Sequence, residues 1–106
     1  MTAREILVKA RELIADPKRW TQRAYARDAY GSVISATSPS AASWCSVGAV
    51  LCAAVSQETL SEGDKALAFL DSNATNKFGT TGFNDTHTHP EVLEVFDRAI
   101  LAAEVA

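Results

Sequence analysis

Several things are scarce in this chain of 106 residues: two cysteines, three prolines, five glycines, and no apolar run long enough to cross a bilayer. The longest apolar stretch, residues 41–55, is interrupted by Ser43 and Ser46 and falls short of the roughly 20 residues a spanning helix needs. It reads as a core helix, and no membrane partner is expected. The two thiols, Cys45 and Cys52, fall in one expected helix, where seven residues separate their Cα atoms by about 10 Å, beyond the reach of a disulfide. Free thiols suit a reducing compartment. The opening residues Met1-Thr2-Ala3-Arg4-Glu5 lack the basic, apolar and small-residue regions of a secretory leader, so a cytoplasmic location is expected. A basic excess is also missing, since the net charge is −3. That total conceals an asymmetry: residues 1–28 hold seven Lys/Arg against four Asp/Glu, and the remainder holds three against nine. The simplest consequence is that the two parts pack together and complement each other.

Present instead is an ordinary globular composition, with 47% hydrophobic and 22% charged residues, in a length that supports one core. A single domain over residues 1–106 is expected. Thr2-x-x-Glu5 is a capping box that opens a helix, and Ile6, Leu7, Ala10, Leu13 and Ile14 form its apolar stripe up to Asp16-Pro17. Ala24-Tyr25-Ala26-Arg27 and Ser32-Val33-Ile34-Ser35 flank the turn Asp28-Ala29-Tyr30-Gly31 and predict a small β-hairpin. Trp20, just before it, is expected to plug the gap between the first helix and the next. Ser38-Pro39 reads as a helix opening, serine capping and proline at the first position. The central helix is then predicted over residues 39–55, with Trp44, Val47, Gly48, Leu51 and Val55 on one face and Ala42, Cys45, Ala49 and Cys52 on the next. Being apolar all round, it should be enclosed by other helices, and Gly48 should mark a close contact.

Ser61-x-x-Asp64 starts a third helix carrying Ala66, Leu67, Phe69 and Leu70, which should fade into the polar residues from Asp71 to Lys77. Gly79-Thr80-Thr81-Gly82 lacks the spacing and lysine of a phosphate-binding loop and is expected to be a flexible connection before Phe83, a core anchor. Thr88-x-x-Glu91 is a second capping box, opening a final helix with the stripe Val92, Phe96, Ala99, Ile100 and Ala103. The fold class predicted is mainly α: a compact bundle of about four helices around the buried central helix, with a small hairpin on one side.

Three motifs in order, Trp44-Cys45-x-x-Gly48-Ala49, Phe83-Asn84-Asp85 and Thr88-x-x-Glu91-Val92, preceded by Ala24-Tyr25-Ala26-Arg27-Asp28, resemble a family of small uncharacterised bacterial and phage proteins. The resemblance covers most of the chain. It implies a fold and no activity, and a phage origin would favour a protein that binds host machinery.

Chemistry can be sought at three places. Cys45 could serve as a nucleophile with His87 or His89 as base and Asp85 or Asn84 as orienter. If the helix opens at Ser38, Cys45 lies about two turns inside it and is inert, whereas an opening at Ser43 would put it in the activating first turn. Asp85, His87 and His89 alternate and could meet a metal with Glu91 nearby, but no second cluster supports them, and the expectation is no metal and no cofactor. Asn84-Asp85 reads more simply as a pair that organises the turn before a helix. Lys18, Arg19, Trp20, Arg23 and Arg27, with Tyr25 among them, mix positive charge with aromatics and form the expected binding face. The leading expectation is a non-enzymatic protein-binding or accessory domain whose partner is another protein. The alternatives are a small enzyme using Cys45 with His87 or His89, and nucleic-acid binding through the basic residues.

Overall fold

The computed structural model describes residues 2–55, 60–74 and 79–105. Its described part is mainly helical, with five α-helices and one three-stranded antiparallel sheet.

Helix α1, Ala3–Leu13, starts at the predicted capping box: Glu5 N–H donates to Thr2 Oγ1 at 3.2 Å and Thr2 N–H donates to Glu5 Oε1 at 3.2 Å. Ala3, Ile6, Leu7 and Ala10 form its buried face, and Ile14, also buried, is the C-terminal cap. Asp16 then accepts from Lys18 N–H and opens a single 3-10 turn, Pro17–Arg19.

The hairpin forms where its alternating pattern places it. Strand β1, Ala26–Arg27, pairs with β2, Val33–Ile34, in the register Ala26 to Ile34 and Arg27 to Val33. Asp28 organises the turn, its Oδ1 accepting from both Tyr30 N–H and Ser32 N–H, and Gly31 supplies φ +85°. A third strand was not foreseen. β3, Ser43–Trp44, pairs with the other side of β1, so the order is β2-β1-β3.

This third strand corrects the predicted central helix. Helix α2 runs over Ser46–Val55, not from Pro39. Ser38-Pro39 makes a turn instead, with Ala41 N–H donating to Ser38 O at 3.1 Å and Ser40 N–H to Ser38 Oγ at 3.2 Å. Serine followed by proline suits the first two positions of a β-turn as well as a helix cap, and pairing with β1 decides between them. The buried side of α2 also differs from the predicted stripe. Ser46, Gly48, Ala49, Val50, Ala53 and Ala54 face inward, while Val47 and Leu51 are half-buried and Val55 is exposed. An all-apolar helix has no preferred phase, and its smallest side chains turn toward the neighbours that approach most closely.

Helix α3, Leu60–Asn73, buries Ala66 and Leu70; the end of the predicted polar stretch, residues 75–77, lies outside the described residues. Gly79–Thr86 is a helix, α4, where a flexible connection was expected. Its first turn is capped from α3: Asp71 Oδ1 accepts from Thr80 N–H at 2.9 Å and from the Thr80 hydroxyl. Helix α5, His89–Val105, begins at the second capping box, where Thr88 N–H donates to Glu91 Oε1 at 2.9 Å.

α1 packs against α2, α3 and α5, α2 and α5 each pack on α3, and α4 closes one end against α2, α3 and α5. Phe96, Ile6, Leu7, Ile14, Leu70, Val50 and Val92 are the large side chains fully enclosed between them. Each contributes roughly 1.5–3 kcal/mol by leaving water. No helix among the described residues is long and apolar enough to cross a membrane.

Candidate functional site

The start of α2 fixes one wall of the site. Cys45 immediately precedes it and caps it: Ala49 N–H donates to Cys45 O at 2.9 Å, and Gly48 N–H donates to Cys45 Sγ at 3.3 Å. Cys45 N–H in turn donates to Tyr25 O at 3.2 Å, which draws the hairpin onto the helix. That approach demands glycine at position 48, because a Cβ there would stand 1.9 Å from Tyr25 O. The predicted contact at Gly48 is therefore made with backbone of the hairpin.

Asn84, on α4, is the hub behind this wall and is 1% exposed. Its Oδ1 accepts from Trp20 Nε1 at 2.7 Å, from Ser46 N–H at 3.1 Å and from Ser46 Oγ at 3.0 Å. Its Nδ2 donates to Thr21 O at 3.0 Å and to Asp85 Oδ1 at 3.1 Å. A buried amide with both ends occupied holds its surroundings in one arrangement. Trp20 is thus an anchor joining the loop to α4, with its ring 5.5 Å from that of His89.

The two histidines are engaged by main chain. His87 Nδ1 lies 3.0 Å from Phe83 O, an acceptor only, so Nδ1 carries the proton; the ring stacks on Phe83 with centroids 3.6 Å apart. His89 Nε2 donates to Ile14 O at 2.6 Å and caps the end of α1. Among the described residues, no hydrogen bond joins the Cys45 thiol to either imidazole. Burial pushes the Cys45 thiol up and the Asp85 carboxylate adds to the rise, against the lowering effect of the Gly48 and Val47 N–H groups. The protonated, inert form is favoured. Among the same residues, no group of three His, Cys, Asp or Glu is placed to hold a metal ion.

The expected binding residues are spread over the 3-10 turn, the loop after it and β1. Lys18 and Arg19 lie in the 3-10 turn, and Arg19 sits over the Trp44 ring at 5.3 Å, where its charge acts on Cys52 of α2. Arg27, half-buried, spends its guanidinium on Thr21 Oγ1, Gly31 O and Gln22 O. Arg23 is exposed and adopts φ +63°, a left-handed conformation unusual for a side-chain-bearing residue. Three bonds hold it there: Arg23 N–H donates to Asp85 Oδ1 at 2.9 Å, and the preceding Gln22 side chain donates to Asn84 O and His87 O.

Arg23, Ala24, Tyr25, Val33, Cys45, Thr81 and Asp85 line an open groove of about 510 Å³ between the hairpin and α4. Cys45, Asp85, Arg23 and Tyr25 were flagged by residue type, whereas Val33 and Thr81 were not. Val33 was within reach, because the alternation along a hairpin that buries Ala26 turns Tyr25 outward, and the register turns Val33 with it. Thr81 depended on a helix the local sequence does not announce.

A model of a family of unknown function (DUF6197) matches residues 1–102, and the chain belongs to that family. No curated protein and no solved structure matches the chain.

Proposed function

We propose that this member of the family works as a non-enzymatic protein-binding or accessory domain, phage-encoded, acting on a host protein in the cytoplasm. One observation carries the reading: the hairpin beside the groove exposes Tyr25, Tyr30 and Val33, at 54%, 94% and 64%. Large apolar side chains gathered on one exposed element, next to a concavity, are what a partner covers. The cytoplasmic location draws on the free thiols of Cys45 and Cys52, and the phage origin on the resemblance of the motifs.

The rival is a cysteine enzyme using Cys45 with His87 or His89, favoured by the place of Cys45 on the groove wall. Binding is preferred because the thiol caps a helix and each imidazole is tied to a carbonyl.

The test is capture from bacterial lysate on the immobilised chain, run beside the double variant Tyr25→Ser, Val33→Thr. A host protein retained by the native chain and lost from a variant that melts at the same temperature supports the reading. Equal retention by both, or none by either, overturns it.

A further inference from the structure

Eight of the cationic side chains fall into two sets. Arg4, Arg11, Lys65 and Arg98 each bridge a carboxylate at 2.7–3.0 Å. Lys18, Arg19, Arg23 and Arg27 bridge none among the described residues. One of this second set lines the groove, and a second lies beside it, its guanidinium bonded to Gln22 O. Arg23 stands on its wall. Strand alternation puts Arg27 on the same sheet face as Tyr25 and, across the pair, Val33. Against these two guanidinium groups stands Asp85, whose carboxylate already accepts from Arg23 N–H and Asn84 Nδ2. The rest of the wall is apolar or small: Ala24, Tyr25, Val33, Cys45 and Thr81.

Arg23 adds an independent observation. It is the sole non-glycine residue with positive φ among those described, and glycine would take that conformation without strain. An arginine kept there by Asp85 and Gln22 keeps its side chain at the groove mouth at a cost to the backbone, and such strain collects where a side chain is presented for use. β2 is moreover an edge strand, paired with β1 on one side only, and its Val33 lines the groove. An open strand edge beside a pocket offers an extended peptide main-chain bonds and a slot for one side chain.

We infer that the groove receives an extended acidic peptide segment of the partner, laid along β2 with a bulky apolar side chain against Tyr25 and Val33 and a carboxylate on Arg23. This rests on the protein-binding reading above and specifies the chemistry of what is bound. The guanidinium fork offers a carboxylate paired, parallel hydrogen bonds, and the unpaired charge of Arg27 adds long-range attraction.

The experiment selects a random peptide display library on the full chain and measures the best peptide, fluorescently labelled, against native protein, Arg23→Gly and Arg23→Glu. Arg23→Gly removes the charge while relieving the backbone, so its melting temperature should be no lower than the native value. Expected are selected peptides with Asp or Glu beside a bulky apolar residue, binding weakened at least about fivefold by Arg23→Gly and further by Arg23→Glu, and weakening with salt. Peptides with no acidic enrichment, or affinity indifferent to Arg23, overturn the inference and leave protein binding standing. No enriched peptide overturns it too; the lysate capture then decides separately whether the binding reading survives. Oligothymidine that displaces the peptide and binds more tightly, in an Arg23-dependent way, assigns the groove to nucleic acid and overturns both.

Discussion

The indole N–H of Trp20 donates to Oδ1 of Asn84 at 2.7 Å, and the same oxygen accepts the first backbone N–H of α2, from Ser46. One buried acceptor therefore joins the loop after α1, the start of α2 and the body of α4. Removing it leaves three donors, the indole N–H, the Ser46 N–H and the Ser46 hydroxyl, without that partner.

Asn84→Ala should accordingly lower stability by about 3 kcal/mol, read as a shift of the urea midpoint, because several buried polar groups lose partners together. Asn84→Asp keeps the acceptor but loses the bond to Thr21 O and sets a second carboxylate beside Asp85, so it should fall between the two. A loss below about 0.5 kcal/mol for the alanine variant would show that the network is not coupled.

Position 48 gives a prediction that opposes helix propensity. Alanine should favour α2 by about 1 kcal/mol over glycine. Its Cβ, however, meets Tyr25 O at 1.9 Å, so the hairpin must move away from the helix. Gly48→Ala should be net destabilising by about 2 kcal/mol or more, with the fluorescence of the tryptophans changed in the folded state.

The two thiols should be told apart by labelling. Cys45 is buried and capping, while Cys52 is half-buried, with its thiol raised by burial and partly offset by Lys9 and Arg19. A thiol reagent near neutral pH should modify Cys52 first, and Cys45 only at the rate of opening of the fold. Modification of Cys45 as fast as that of a free thiol would favour the cysteine-enzyme reading.

Acid should weaken the fold through its caps. Glu5 and Glu91 are held below the ordinary carboxylate range by the backbone N–H groups of Thr2 and Thr88, and Glu62 by Lys65 and by Ala3 N–H. Their folded values lie below the unfolded ones, so their contribution is present above about pH 4.3 and is lost as pH falls through the lowered values. Thermal melts across that range should show this acid limb, and Glu5→Gln with Glu91→Gln should flatten it.

What could be read from the sequence was whatever short-range chemistry determines. The capping boxes at Thr2 and Thr88, the stripe of α1 and the Asp28 turn each lie within a few residues of the groups they satisfy, and all are found where expected. The start of α2 was misread because residues 39–45 are apolar enough for either helix or strand, and β1, many residues earlier, settles the matter. α4 was missed because Gly79-Thr80-Thr81-Gly82 has poor helix propensity and its cap, Asp71, is supplied by another helix. In the candidate site, Cys45, Asp85, Arg23 and Tyr25 were legible by residue type. The hub role of Asn84 was not, since its partners Trp20, Thr21 and Ser46 come from distant segments.

That distance also bears on the order in which the molecule assembles. Apart from Asp85, the partners of the Asn84 side chain lie 38 to 64 residues away. Closing loops of that length must precede any of those bonds, whereas the turns capped by Thr2 and Thr88 need no such closure. Helices α1 and α5 can thus form early, and the hub locks late. The groove it supports comes into being only at the end of folding, so a partly folded chain exposes apolar surface without presenting that groove.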